Sequence, residues 1–170
     1  LNVPLRDGAI TDDTRIQASL PTIASLRSKG GRVILCSHLG RPKGEPDPKF
    51  SVSPVVGRLS ELLDTDVIKA DDCVGDDVKK VCGGMPKGGV VLLQTGRFHK
   101  GETKSHEDFA KAIATSSAAN AYVNDAFGAA HGATTDAEIY VVCGGYIGLY
   151  LCITLLQKHI HGCWVYPVYD

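Results

Sequence analysis

Apolar residues fall along this chain in two alternating rhythms. Short unbroken runs bounded by glycine read as buried strands: Arg32-Val33-Ile34-Leu35-Cys36-Ser37 lies between Gly30-Gly31 and Gly40. Gly89-Val90-Val91-Leu92-Leu93 repeats the pattern after Pro86, Ala121-Tyr122-Val123-Asn124-Asp125 does so again, and Asp66-Val67-Ile68 is a shorter version. Between these runs the apolar positions recur at helical spacing. Asp12 and Asp13 are placed to cap a helix through Arg15, Ile16, Ala18, Leu20, Ile23 and Leu26, which stops at Gly30-Gly31. Ser53-Pro54 opens a second helix, with Val55, Val56, Leu59, Leu62 and Leu63 on its apolar side. Glu107 to Ser117 reads as a third. This alternation predicts an α/β fold, an open parallel sheet with helices on both faces. Sheets of that kind hold ligands beyond the carboxyl ends of their strands.

The last 35 residues break the rhythm, holding five of the six tyrosines, the only tryptophan and three of the six cysteines. Residues 139–157 carry no charge and are long enough to cross a bilayer. Gly144, Gly145 and Gly148 interrupt the segment and no basic flank precedes it, so a buried core segment is the expectation and a membrane span the alternative. His159, His161 and Cys163 form an H-x-H-x-C with no fourth ligand nearby, which reads as chance proximity.

Composition narrows the classes. With 18 Lys+Arg against 19 Asp+Glu the net charge is −1, and 44% of residues are hydrophobic. That excludes a disordered chain and a strongly basic nucleic-acid binder. The six cysteines contain no C-x-x-C pair in a chain too long to need staples, so they read as structural thiols of a reducing compartment. The N-terminus has no signal-peptide pattern; it begins at Leu1 rather than Met, so a preceding segment is expected to have been removed or left unrecorded.

Candidate chemistry collects where strands end. Ser37-His38-Leu39-Gly40-Arg41-Pro42 follows the first run: Gly40 permits close backbone approach and Arg41 offers a fork for carboxylate or phosphate. Gly96-Arg97-Phe98-His99-Lys100 follows the second, and residues 124–131, NDAFGAAH, follow the third. Taken singly, each is a polar turn or a surface arginine in an ordinary salt bridge. Together Arg15, Arg41 and Arg97 with His38, His99 and His131 describe a basic cleft for a small, doubly charged anion. No nucleotide loop accompanies it: Gly101 is followed by Glu102 rather than Lys and Ser or Thr, and no G-x-G-x-x-G opens a helix.

These segments resemble the N-terminal domain of phosphoglycerate kinase. The resemblance rests on Asn2-Val3-Pro4-Leu5, Ile10-Thr11-Asp12-Asp13-Thr14-Arg15-Ile16, SHLGRP at 37–42, Gly96-Arg97-Phe98-His99 and NDAFG at 124–128, in order across about residues 1–135. It implies a Rossmann-like domain of a two-domain hinge kinase that moves the γ-phosphoryl of ATP to the carboxylate of 3-phosphoglycerate with Mg²⁺. By the same resemblance Arg15 is catalytic, and Asn2, Thr14, Arg15, Ser37, His38, Gly40, Arg41, Gly96, Arg97 and His131 bind substrate. Nucleotide and metal ligands are expected in none of these 170 residues.

Three departures bear on activity. The family's Asp-Phe before Asn2 is missing, Gly132 stands where the family has Arg, and Thr95-Gly96 replaces Asn-Leu. The expected organisation is a phosphoglycerate-binding domain over 1–135 with an incomplete first strand, a divergent apolar tail over 136–170, and no nucleotide domain. Such a chain is expected to be a monomeric fragment, inactive alone, that binds 3-phosphoglycerate and meets ATP or ADP only in the intact enzyme. No nucleic-acid or membrane partner is expected; the cytoplasm is the expected compartment, the plastid the alternative. The rival function is a non-catalytic anion-binding module or regulatory fragment.

Overall fold

The computed structural model describes residues 1–103, 107–119, 121–124 and 139–143. A small antiparallel hairpin, β1 (Leu5–Arg6) and β2 (Ala9–Ile10), leads into α1 (Thr14–Ser28) and β3 (Arg32–Cys36). Then come α2 (Ser53–Leu63), β4 (Val67–Lys69), α3 (Asp76–Gly83) and β5 (Val90–Leu92). The last elements are α4 (Lys100–Thr103), α5 (Glu107–Ser117), β6 (Ala121–Asn124) and β7 (Ile139–Cys143).

Local chemistry accounts for the boundaries. At the start of α1 the Asp12 carboxylate accepts from the Thr14 amide at 2.9 Å and from its hydroxyl at 2.5 Å, while the Asp13 carbonyl accepts from Ile16 and Gln17. Pro54 sits in the first turn of α2, where its missing N–H costs nothing. Val33, Ile34 and Leu35 in β3 and Val91 and Leu92 in β5 are all fully buried. Strands covered on both faces need apolar side chains at every position, hence the unbroken runs.

β3, β4 and β5 are mutually parallel, in register Val33–Val90 and Val67–Val90, and helices cover both faces. α1 packs on α2 and β3, α2 also on β4, and α3 on α5. The sheet order is β4-β5-β3-β7-β6. β7 runs antiparallel to both neighbours, with Arg32 opposite Cys143 and Cys36 opposite Ile139, so the sheet is parallel with one reversed strand inserted. Its Ile-Tyr-Val-Val-Cys sequence is β-branched and aromatic, the composition that strands favour. Residues 144–170 of the apolar tail, with His159, His161 and Cys163, lie outside the described residues. Among the described residues no helix is long and apolar enough to cross a membrane.

Residues 1–4 lead into the β1–β2 hairpin, with Leu1 and Val3 buried and Asn2 between them half-buried. Cys73 and Cys82 are buried and Cys36 is half-buried.

Truncation in the sheet centre leaves a cavity, whereas truncation at the β4 edge does not. Leu35→Ala is expected to cost about 2–5 kcal/mol in urea unfolding, against about 0.5 kcal/mol or less for Ile68→Ala at a side chain 45% exposed.

Candidate anion-binding cleft

Because β3 and β5 run parallel, their following loops emerge side by side. The β3 loop turns at Gly40, whose φ is +60° and where a Cβ would run into the Phe50 ring. Its N–H donates to Asn2 Oδ1 at 3.4 Å, and its carbonyl accepts from Arg97 Nη1 at 2.9 Å. The other end of the Asn2 amide lies 3.0 Å from Nε2 of the buried His38 ring, which accepts from it when the ring proton is on Nδ1. Arg15, in the first turn of α1, donates from Nη1 to the Asn2 carbonyl at 2.7 Å. Asn2, Asp12, Arg15, Gly40, Lys49 and Phe50 line a cleft of about 550 Å³ around these contacts.

Burial strengthens the charges behind the cleft. The Arg97 side chain is 8% exposed, with Nε 3.8 Å from Glu102 Oε1. Burial lowers its pKa, Glu102 opposes the shift, and the nearby Arg41 charge lowers it further. Arg41 is itself exposed, so two guanidinium charges gather at this edge with one open to solvent. A dianion relieves that repulsion, and each guanidinium offers a planar fork for its oxygens.

The turn that carries Arg97 is held from two sides. Gly96–Phe98 form a 3₁₀ turn, and Thr95 Oγ1 accepts from the Arg97 amide at 3.3 Å. Thr95 thus caps the turn, as an Asn at that position could. Buried Gln94, at the end of β5, accepts on Oε1 from Val52 and Thr95 amides at 3.1 and 3.0 Å. Its Nε2 donates to Ser51 Oγ at 3.0 Å. That amide ties the strand end to the segment bearing Lys49 and Phe50.

Several of the sequence-predicted residues come together and others do not. Asn2, Arg15, His38, Gly40 and Arg97 form one bonded cluster, with Arg41 beside it. Thr14 turns its hydroxyl to Asp12, buried Ser37 donates to the His38 carbonyl at 3.3 Å, and Gly96 packs beside Glu102 and Phe109. His99 leaves the cleft for Asp72, 2.6 Å away. His131 and Gly132 lie outside the described residues. Lys49, Phe50 and Gln94 had no signal in the sequence, because only the packing of residues 48–52 against Gly40 and Gln94 gives them a place.

The cleft does not suit Mg²⁺. That ion asks for carboxylate, carbonyl or phosphate oxygens in near-octahedral array. Among the described residues Asp12 is the one carboxylate on this lining, it already receives two bonds from Thr14, and Arg15 and Lys49 share the lining with it.

A family profile described as "Phosphoglycerate kinase" matches residues 1–151. The chain belongs to the phosphoglycerate kinase family. The match runs past Thr135, where the motifs stop. The chain is 57% identical over 139 residues to the cytosolic phosphoglycerate kinase of Triticum aestivum, covering 81% of this chain and 34% of that one. It is 56% identical over 139 residues to phosphoglycerate kinase 2, chloroplastic, of Arabidopsis thaliana, covering 81% and 28%. A solved phosphoglycerate kinase from Coxiella burnetii superposes with a TM-score of 0.66 at 34% identity, over 80% of this chain and 33% of that one. The chain therefore spans about a third of the length of the relatives it matches.

Two outcomes follow from this geometry. Gly40→Ala, which places a methyl against Phe50 at positive φ, is expected to lose about 1–3 kcal/mol in urea unfolding. The second concerns Asp13, whose Oδ2 accepts from Arg58 Nε at 2.7 Å, joining α1 to α2. The Arg58 bond, with a smaller contribution from Gln17, lowers its pKa below the ordinary value. A carboxyl with a depressed folded pKa stabilises above its unfolded pKa of about 4 and loses that contribution as pH falls through the folded value. Arg58→Met is therefore expected to lower the urea midpoint at neutral pH, with the difference closing below that range.

Proposed function

We propose that this chain supplies the 3-phosphoglycerate half of a phosphoglycerate kinase site. The observation that supports it is Arg15, Arg41 and Arg97 assembled around the Asn2–Gly40 contact, two of them oriented by backbone carbonyls. A carboxylate oxygen of 3-phosphoglycerate attacks the γ-phosphorus of ATP in line, its P–O bond to ADP breaks, and an acyl phosphate forms. Such a transfer needs positioning and charge neutralisation more than covalent chemistry.

The roles divide by exposure. Arg41 and Arg97 hold the substrate phosphate, Arg97 from a buried turn and Arg41 from the open side. Asn2 faces the glycerate part, and His38 fixes the Asn2 amide. Ser37 and Gly40 shape that loop, Gly96 shapes the turn under Arg97, and Thr14 steadies the helix start that carries Arg15. Arg15 is exposed at the cleft; with one Nη on the Asn2 carbonyl, its remaining donors are free to meet charge developing on the transferring phosphoryl. His131 joins the substrate-binding set on the family resemblance alone.

Nucleotide, and the Mg²⁺ that accompanies it, belong on this reading to a part of the site other than the cleft. The 170-residue chain by itself binds 3-phosphoglycerate and does not turn over ATP. It acts as a monomer in the cytoplasm, the plastid being the alternative that the chloroplastic relative keeps open. It takes no nucleic-acid or membrane partner.

Titrating the chain with 3-phosphoglycerate while following amide NMR shifts tests this. Saturable shifts at His38, Gly40 and Arg97 are expected, with affinity falling about 10- to 100-fold in Arg41→Ala. A dispersed spectrum that does not respond overturns the binding role, and ATP-dependent turnover by the chain alone overturns the inactivity.

A further inference from the structure

Beyond the far side of the Arg97 turn lies a group of side chains that the cleft does not use. Asp72 and Cys73 follow β4, and His99 follows the Gly96–Phe98 turn. One ligand atom of each, a carboxylate oxygen, a sulfur and a ring nitrogen, all lie within 4.8 Å of one another. Among the described residues this is the one such cluster. We propose that Asp72, Cys73 and His99 bind a borderline-soft divalent cation, Zn²⁺ or a close relative. The proposal is independent of what occupies the cleft.

Ligand chemistry selects the class of ion. Sulfur and imidazole nitrogen beside one carboxylate suit Zn²⁺ and its neighbours, whereas Mg²⁺ and Ca²⁺ want oxygen throughout. A tetrahedral ion about 2.0–2.3 Å from each ligand separates the ligand atoms by roughly 3.3–3.8 Å. The cluster brackets that range: Asp72 Oδ1 and His99 Nε2 stand 2.6 Å apart, and the widest separation is within 4.8 Å. Opening the Asp72–His99 contact by roughly 1 Å makes room for the ion.

The surroundings supply both rigidity and access. Cys73 is 2% exposed, and its amide donates to Asp72 Oδ1 at 2.6 Å, which folds the loop so that both side chains share one corner. The His99 ring lies against Phe109, centroids 5.2 Å apart, so its plane is set before any ion arrives. The Asp72 and His99 side chains are 47% and 31% exposed, which gives an entry path from water. On binding, the Cys73 thiol gives its proton to solvent and coordinates as thiolate; no electron is transferred. Three protein ligands and one water make an exchangeable ion, which cross-links the segment after β4 to the turn that carries Arg97.

Cobalt(II), a coloured substitute for zinc, provides the test. Added to the full 170-residue chain under a non-thiol reductant, it is expected to give a thiolate-to-cobalt charge-transfer band that saturates at one equivalent and is displaced by Zn²⁺. Cys73→Ser removes the band and His99→Gln weakens binding at least tenfold, while Cys82→Ser and Cys163→Ser leave it unchanged. His99 lies outside the apolar core, so His99→Gln decides the matter even if Cys73→Ser fails to fold. No band at saturating cobalt, a band that survives Cys73→Ser or His99→Gln at full strength, or one lost with Cys163→Ser overturns the proposal.

Discussion

Parallel pairing of β3 with β5 is the constraint on which the cleft depends. Three consecutive pairs, Val33–Val90, Ile34–Val91 and Leu35–Leu92, bury nearly all of their side-chain surface and so fix the register. A slip of one residue exchanges the faces of every side chain in the strand. With the register fixed, the two strands end at the same level, and the Leu35 carbonyl accepts from the Leu93 amide just beyond the ladder. Arg97 therefore meets Gly40 across a gap that neither loop closes by itself.

A chain of net charge −1 can still present a basic edge, because the acidic groups are spent elsewhere. Asp13 and Glu61 hold Arg58, Asp71 holds Lys69, Asp76 holds Lys79, and Asp72 holds His99. Glu102 stands close to Arg97, at 3.8 Å. The geometry gives that carboxylate a plain function: a guanidinium buried without any counter-charge is too costly to keep. Arg41, further out, is exposed to solvent.

Much of this architecture was legible in the residues. Uninterrupted apolar runs closed by glycine marked β3 and β5 because both faces of those strands are covered, and Glu107–Ser117 read correctly from its spacing alone. α3 escaped notice: it buries only Val78 and Cys82, with Val81 half-buried, and its other positions are Asp, Lys and Gly, too little stripe to stand out. The inserted β7 escaped because an antiparallel partner leaves no mark on the sequence of β3. In the cleft, the recurrence of Arg and His at strand ends located the site, but side-chain direction is a tertiary property. His99 has the same local setting as Arg97, two residues away, and turns instead to Asp72. Lys49 and Phe50 became cleft residues only through the loop that Gln94 pins.

The two arginines held over the cleft share a choice of acceptor. Arg15 donates to the carbonyl of Asn2 and Arg97 to that of Gly40, main-chain oxygens both. Every amino acid carries such an oxygen. Substitution at position 2 or 40 can tilt the acceptor by moving the backbone, but no codon change deletes it. Sequence drift around this edge is thus tolerated differently on the two sides of each bond. The donor must remain arginine, while the acceptor is inherited with the polypeptide itself.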